Sequence, residues 1–179
     1  MSKTGTEPIS SAIRIFKQYE SLGSKALDQI EKDGFYWKPE PESNSIFIII
    51  KHLNGNMRSR WTNFLTTDGE KDWRNRDAEF DEENLSKQQI LILWNQGWQC
   101  LFDTLNSLSN KQLSDIIHIR GEEHSVFEAI NRQIAHYSYH IGQIVYLAKA
   151  VKSDKWHSLS IPKRNGASEE FNKSMNHPK

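Results

Sequence analysis

The architecture of this chain is set most clearly by SVFEAINRQIAHYSYHIGQIVYLA, residues 125–148. Ser125 and Glu128 match a capping box, in which a serine and an acidic residue three positions later satisfy the first backbone amides of a helix. Apolar residues then recur every three or four positions, the period of an amphipathic helix. They are Phe127, Ile130, Ile134, Tyr137, Ile141, Ile144 and Ala148. The stretch therefore predicts a long helix, the fourth in the chain.

A first helix is predicted near the N-terminus. Thr6-Glu7-Pro8 is typical of a helix start, because proline is tolerated in the first turn. The apolar spacing predicts that this helix ends near Lys32-Asp33-Gly34. The next stretch, FYWKPEPES at residues 35–43, contains two prolines, and we expect it to form a loop.

A second helix should begin at residues 43–44 and fade at the turn signal Thr66-Thr67-Asp68-Gly69. The segment EKDWRNRDAEFDEEN, residues 70–84, is rich in charge and lacks an apolar period. We expect an irregular connection there, pinned to the domain by Trp73 and Phe80.

A second capping box, Ser86 with Gln89, predicts the start of a third helix that extends to about Leu108. Trp94 and Trp98 lie four apart on its apolar face and should belong to the core. Between Ile116 and Val126, β-branched residues flank Arg120-Gly121, which indicates a short two-stranded ribbon.

Four long amphipathic helices predict an all-α fold, a four-helix bundle with a short β-ribbon. At 179 residues, one domain is expected, with its core at about residues 7–152 and a C-terminal tail at residues 153–179. Four apolar residues could dock the tail. They are Trp156, Leu159, Ile161 and Phe171.

The composition narrows the classes of function. Lysine plus arginine and aspartate plus glutamate both number 23, so no overall positive field favours nucleic acid or an anionic membrane surface. Cys100 is the single cysteine and is expected to be a buried structural thiol. MSKTGTEPIS at the N-terminus lacks the apolar core of a secretion signal, and no apolar run could span a membrane. These features predict a cytoplasmic protein.

Three histidines are the candidate metal ligands. His136 and His140 are four apart in the fourth helix, so both rings project from one face. His52, midway along the second helix, is the natural third ligand on a facing helix. The alternative is that such a pair consists of surface residues or hydrogen-bonded core groups, because most helical histidines bind no metal.

Polar stripes beside these histidines favour the metal hypothesis. Gln133, His136, His140 and Gln143 trace one stripe, and His52, Asn56, Ser59 and Asn63 trace another. Buried polar groups need partners, so the stripes should face a wet cleft or a metal ion.

Three neutral imidazoles leave room for water or an anionic group on a divalent ion, which predicts a catalytic type of site. Such an ion could activate water for hydrolysis or a thiol for transfer, and the residues do not choose between these reactions. Arg132 and the loop arginines are candidate anion contacts.

Other polar residues are interpreted as structural or solvated. Four histidines outside the long helices should be solvated or locally hydrogen-bonded: His118, His124, His157 and His177. In the charged connection, Asp72 and Asp77 nearly balance Arg74 and Arg76, which indicates internally paired side chains in solvent.

His52 and NRQIAHYSYHIGQIVYLAK, residues 131–149, resemble the DinB/YfiT-like superfamily of bacterial metal-binding four-helix bundles. DGEKDWRNRD, IRGEEHSV and WHSLSIPKRNGASEEFN resemble one uncharacterised branch of it. The resemblance implies that His52, His136 and His140 bind a divalent ion, commonly zinc or nickel. It does not imply DNA binding.

Some members of that superfamily are S-transferases that use low-molecular-weight thiols, others are thiol-dependent isomerases, and many have no assigned activity. Together with the chemistry that a bound ion allows, these relatives lead us to expect a metal-dependent thiol transferase or hydrolase acting on a small molecule. A noncatalytic, metal-braced binding or stress-response protein is the alternative. Related bundles often pair, so a homodimer is also expected.

Overall fold

A computed structural model describes residues 7–161 and 167–176. This described part is mostly helical with one two-stranded antiparallel sheet, as the sequence predicts, but it contains six α-helices and not the four expected. The helices are α1 (Pro8–Leu27), α2 (Lys32–Tyr36), α3 (Ile46–Trp61), α4 (Lys87–Ser107), α5 (Val126–Lys152) and α6 (Ala167–Asn176); the strands are β1 (Ile116–Ile119) and β2 (Glu122–Ser125). Single 3₁₀ turns occur at Asp77–Phe80, Asn110–Ser114 and Ser153–Lys155.

Both predicted capping boxes are confirmed. At the start of α5, the backbone amide of Glu128 donates to the Ser125 hydroxyl, 3.2 Å away, and the amide of Ser125 donates to the Glu128 carboxylate, 2.8 Å away. Ser86 and Gln89 form the same reciprocal pair at the start of α4. Local side chains thus fix where the two longest helices begin.

The first helix is shorter than its apolar pattern predicts. It begins at Pro8, with Thr6 outside the described residues, and it ends at Leu27. The chain then turns and forms α2, so the predicted end at Lys32-Asp33-Gly34 is wrong. The break allows both Ile30 and Phe35 to be buried. The predicted loop begins only at Trp37, because Phe35 and Tyr36 belong to α2.

The second predicted helix, α3, starts two residues later and ends earlier than expected. The Ser45 hydroxyl caps it by accepting from the amide of Ile48 at 3.2 Å. The helix stops at Trp61, and Asn63 adopts a positive φ of 50° in the turn that follows. This reversal lets Phe64 point back into the core, where it is buried.

The short ribbon is confirmed as a β-hairpin in which Ile117 pairs with His124. Arg120 and Gly121 form its turn, with φ values of 57° and 78°. The Asp68 carboxylate accepts hydrogen bonds from the amides of Arg120 and Gly121 at 2.8 and 2.7 Å. The hairpin is therefore fastened to the loop that follows α3.

Most buried core residues lie on the four long helices α1, α3, α4 and α5, and others come from α2 and β1. Along their lengths α3 packs against α4 and α1 packs against α5, while α3 also contacts α5. Trp94 and Trp98 are buried there, as predicted. Among the residues described, no helix has the length and apolar character needed to cross a membrane. The contact between α3 and α5 places the candidate ligands opposite one another.

The anchors expected for residues 70–84 and for the tail need correction. Trp73 and Phe80 are 55% and 47% exposed, so neither is buried in the core. In the tail, Trp156 and Leu159 pack against the core, whereas Ile161 and Phe171 are exposed. Segment 70–84 is instead fastened to α3, because the amide of Lys71 donates to the Ser59 hydroxyl at 3.0 Å and the Glu79 carboxylate lies 2.9 Å from Nδ1 of His52.

Candidate metal centre

His52 on α3 meets His136 and His140 of α5, as the sequence predicts. Each residue offers one ring nitrogen, and these three nitrogens lie within 4.8 Å of one another. Nε2 of His52 and Nε2 of His136 are 3.4 Å apart. His52 and His140 are buried, and His136 is partly exposed. The three imidazoles could bind one metal ion.

Two of the three rings are oriented by hydrogen bonds through Nδ1. Nδ1 of His52 lies 2.9 Å from Oε2 of Glu79, and Nδ1 of His140 lies 2.8 Å from Oε1 of Gln143. Both partners are oxygen acceptors, so they favour the tautomer that donates from Nδ1 and keeps the lone pair on Nε2. A partner on the far ring nitrogen is the usual support for a metal-bound imidazole.

Glu79 is in turn held by Arg74. The guanidinium donates from Nε to Oε1 at 2.7 Å and from Nη2 to Oε2 at 3.0 Å, and the side chains of both residues are buried. Burial alone would raise the pKa of Glu79, but the hydrogen bonds from His52 and Arg74 outweigh it and lower that pKa. Glu79 is therefore an anionic support for His52.

The imidazoles of α5 are neutral at physiological pH. Burial and the neighbouring His140 and His52 lower the pKa of His136 to about 3. Burial also lowers the pKa of His140 to about 4, although its hydrogen bond to Gln143 opposes the change. Because a metal binds the unprotonated ring, both histidines are in the state that coordination requires.

A divalent ion suits these residues. Nε2 of His140 is buried and has no hydrogen-bond partner among the described residues. Leaving a buried polar atom unsatisfied is unfavourable by about 1–3 kcal/mol. When Nδ1 of His52 and of His140 donate to Glu79 and Gln143, the Nε2 atoms of these two rings carry lone pairs. These lone pairs lie close together, beside the ring of His136. A cation bound there would satisfy them.

A cavity of about 130 Å³ opens beside His52 and His136, and we call it the arginine cavity. Its wall includes five arginines: Arg60, Arg74, Arg76, Arg120 and Arg132. Arg132 and the loop arginines, predicted as candidate anion contacts, are thus brought to the site. The cavity gives small molecules a route to the histidines.

Only some residues of the two predicted polar stripes line the cavity. Asn56 and Gln133 line the arginine cavity. Ser59 is buried away from it, where its hydroxyl donates to the carbonyl of Gly69. Asn63 is exposed beyond the end of α3, so its place in the stripe is wrong. Gln143 is exposed and contributes through its bond to His140.

The remaining histidines are mostly as expected. His118 and His157 are exposed. His124 is partly buried, and its Nε2 has no hydrogen-bond partner in residues 7–161 and 167–176, so the prediction fails there. His177 lies outside the described residues.

Cys100 is only partly buried, which corrects the prediction of a buried thiol. It lines a groove of about 750 Å³, and its Sγ lies 3.7 Å from the Thr62 hydroxyl. This groove also includes Asn95 and Asp103 of α4 and none of the three histidines. Cys100 is thus not part of the candidate metal centre.

The sequence did not indicate that Glu79 belongs to the site, and it predicted the wrong ion-pair partners for Arg74. The expected pairing of Arg74 with Asp72 and Asp77 in solvent is wrong, because Arg74 is buried and binds Glu79 and Glu70. Nothing in the local charge pattern distinguishes Glu79 from its acidic neighbours. The sequence offers one signal that Glu79 lies near the site: it is next to Phe80 in a segment with few apolar residues. The ring centroids of Phe80 and His52 are 5.8 Å apart.

Comparison with known proteins gives a family without an assigned activity. No curated protein matches the chain. A family model described as "Protein of unknown function (DUF1572)" matches residues 3–165. That range contains the three histidines, Glu79 and the five arginines of the cavity. Because the match covers most of the sequence, this chain belongs to the DUF1572 family.

Proposed function

We propose that this protein binds a divalent metal ion through His52, His136 and His140. The main observation behind this proposal is that one ring nitrogen from each histidine lies within 4.8 Å of the other two. The unpartnered Nε2 of His140 and the support of His52 by Glu79 agree with it. Zinc and nickel are the ions we expect.

The proposal extends to the kind of fold. We propose that α1, α3, α4 and α5 form the four-helix bundle of the DinB/YfiT-like superfamily. The pairing of α1 with α5 and of α3 with α4 supports this assignment, as does the position of the histidines on two facing helices. A homodimer, also expected from that resemblance, is part of the proposal.

The activity that we propose is metal-dependent thiol transfer or hydrolysis of a small molecule. A divalent ion at this site would act as a Lewis acid that activates a thiol or a water molecule. The arginine cavity supports a catalytic role, because it gives a substrate access to His52 and His136. Cys100 lines a different groove, so a reacting thiol would come from a low-molecular-weight co-substrate.

The protein's own residues would position the reactants. Glu79 and Gln143 hold the rings of His52 and His140 in fixed orientations. In thiol transfer, the sulfur bonds to an electrophilic carbon, the leaving group departs with its electron pair, and the thiol proton passes to solvent. The arginines would bind an anionic part of the substrate while this exchange takes place.

A second candidate is a noncatalytic protein in which the ion braces α3 against α5. The burial of His52 and His140 favours it, because structural metal sites are closed to solvent. The two candidates differ in whether a coordination position accepts an added ligand.

Elemental analysis of natively purified protein tests metal binding directly. We expect about one equivalent of a divalent ion per chain, and less than a tenth of that in His136→Ala. His118→Ala is the matched control, because it removes an exposed histidine from β1. Wild-type protein that contains no metal and takes up none from added zinc or nickel would contradict the proposal.

Cobalt substitution then separates catalysis from bracing. If a coordination position is open, a thiol added to the Co²⁺ protein should change its visible absorption. Turnover of a chloronitroaromatic with a thiol, or of a nitrophenyl ester with water, then identifies the reaction. An unchanged spectrum and no turnover would favour the bracing role.

A further inference from the structure

The arginine cavity holds more positive charge than its acidic neighbours neutralise. Arg74 pairs with Glu70 and Glu79, and Arg120 pairs with Glu70. Arg60, Arg76 and Arg132 form no ion pair within the described residues. Five guanidinium groups thus share two carboxylates, and the excess charge faces the space beside the histidines.

Arg60 is the most informative of these arginines. It is only 3% exposed, and its Nε and Nη1 have no hydrogen-bond partner in residues 7–161 and 167–176. Burial lowers the pKa of Arg60, and the nearby Tyr137 opposes the shift. A buried, unpaired guanidinium is strongly unfavourable unless an anion compensates it.

Gln133 lines the cavity from the facing helix. It is 2% exposed, and its Oε1 lacks a partner among the described residues. This oxygen is a hydrogen-bond acceptor, so it needs a donor and not an anion, and the unpaired guanidinium of Arg60 is the group that an anion would compensate. Arg132, one residue earlier on α5, adds an accessible guanidinium at the same wall.

We infer that the arginine cavity is a subsite for an oxyanion, a carboxylate or phosphate group of the substrate, bound mainly by Arg60 and Arg132. This inference rests on the proposed function, since it names the substrate class of the same site. The guanidinium group is a planar fork of donors that binds two oxygens of a carboxylate or phosphate through paired hydrogen bonds.

The size of the cavity limits what it can bind. Its volume of about 130 Å³ is below the roughly 300–1,000 Å³ of sites that enclose a drug-sized ligand. One anionic group would fill it, with the rest of the substrate outside. A group bound there would lie beside His52 and His136, so the oxyanion would orient the reacting part of the molecule at the ligand cluster.

Inorganic phosphate is the probe for this subsite. Metal-free protein, prepared with a chelator, is titrated with phosphate at pH 8 and constant ionic strength, with acetate and succinate as carboxylate arms. The midpoint of thermal unfolding reports binding, because a ligand of the folded state stabilises it by an amount that grows with the logarithm of one plus the ratio of ligand concentration to Kd. The arm that gives the largest shift identifies the preferred oxyanion.

Arg132→Gln and its matched control decide the outcome. We expect Arg132→Gln to weaken binding of the preferred oxyanion about tenfold, the loss typical of one charge-assisted hydrogen bond. Arg14→Gln removes the same charge from an exposed position on α1 and should bind within about twofold of wild type. Arg60→Gln should lose more than Arg132→Gln, and Arg132→Gln is decisive alone if Arg60→Gln does not fold.

The inference is overturned if none of the three anions stabilises wild-type protein more than chloride does, or if Arg132→Gln and Arg14→Gln bind the anion equally well. Metal content, measured in parallel, separates this failure from failure of the proposed function. Protein that binds metal but no oxyanion refutes only the subsite. Protein that binds the oxyanion but no metal refutes only the metal centre.

Discussion

Nδ1 of His52 lies 2.9 Å from Oε2 of Glu79, although the two residues are 27 positions apart and Glu79 belongs to a connection without regular helix. Glu79 is also clamped by Arg74, so the orientation of the His52 ring depends on segment 70–84. The charge pattern predicts that this segment is solvated, yet one of its residues supports the candidate metal centre.

The replacement Glu79→Gln should lower metal affinity about 10- to 100-fold, the usual effect of removing a partner that orients a ligand. The amide has only one acceptor oxygen and no charge, so it cannot serve both His52 and Arg74. Competition with a chromophoric chelator measures the dissociation constant. Glu83→Gln is the control, because Glu83 is exposed and, within residues 7–161 and 167–176, forms an ion pair only with Lys51. Equal affinity in both variants would contradict the role assigned to Glu79.

A second test moves Glu79 without changing it. A Cβ added at Gly55 would lie 2.8 Å from Cδ of Glu79 and closer still to Oε1, so Gly55→Ala should displace the carboxylate and weaken metal binding. Gly142→Ala is the matched control, since its Cβ would meet nothing within 4 Å. That variant should retain affinity and gain up to about 1 kcal/mol of stability from helix propensity. Wild-type affinity in Gly55→Ala would show that the support from Glu79 is dispensable.

Removal of the ion should destabilise the protein. A ligand present at a hundred times its dissociation constant stabilises the folded state by about 2.7 kcal/mol. For a chain of this size, the chelator should lower the unfolding midpoint by about 5–10 °C. His140→Ala should not respond to the chelator, whereas His118→Ala should respond as wild type does. Thermal melts with and without chelator measure both, and a chelator response that survives in His140→Ala would place the ion elsewhere.

Stability should depend on pH through Asp68. Burial would raise the pKa of Asp68, but hydrogen bonds from the backbone amides of Glu70, Gly121 and Arg120 outweigh it and lower that pKa. A lowered carboxylate pKa adds stability above the unfolded-state value near 4, and this contribution is lost as the pH falls through the folded-state pKa.

Asp68→Asn should therefore be less stable than wild type at pH 7, by about 1 kcal/mol after allowance for solvent screening. The difference should disappear as the pH falls through the lowered folded-state pKa of Asp68, because both side chains are neutral below it. Denaturant unfolding across this pH range measures it. Asp72→Asn, at an exposed position, controls for the lost charge. A difference that stays constant with pH would exclude the ionised carboxylate as its cause.

Local patterns predicted most helix positions but not all of their ends. The starts of α4 and α5 follow from capping boxes, which are written within four residues. The ends of α1 and α3 could not be predicted in this way. The apolar spacing continues past each helix, because residues beyond the helix end are also buried, although they reach the core from a turn. Ile30 and Phe64 are such residues: each continues the pattern and lies beyond its helix.

The amino-acid sequence by itself determined the helical composition, the hairpin at Arg120-Gly121 and the spacing that places His136 and His140 on one face. These are local properties, because backbone hydrogen bonds and side-chain periods act over a few residues. Tertiary structure alone decided that Glu79 and Arg74 are buried beside His52 and that Arg60 and Gln133 line one cavity. Those relations depend on how a loop crosses α3 and how α3 packs against α5, and no pattern confined to neighbouring residues encodes either one.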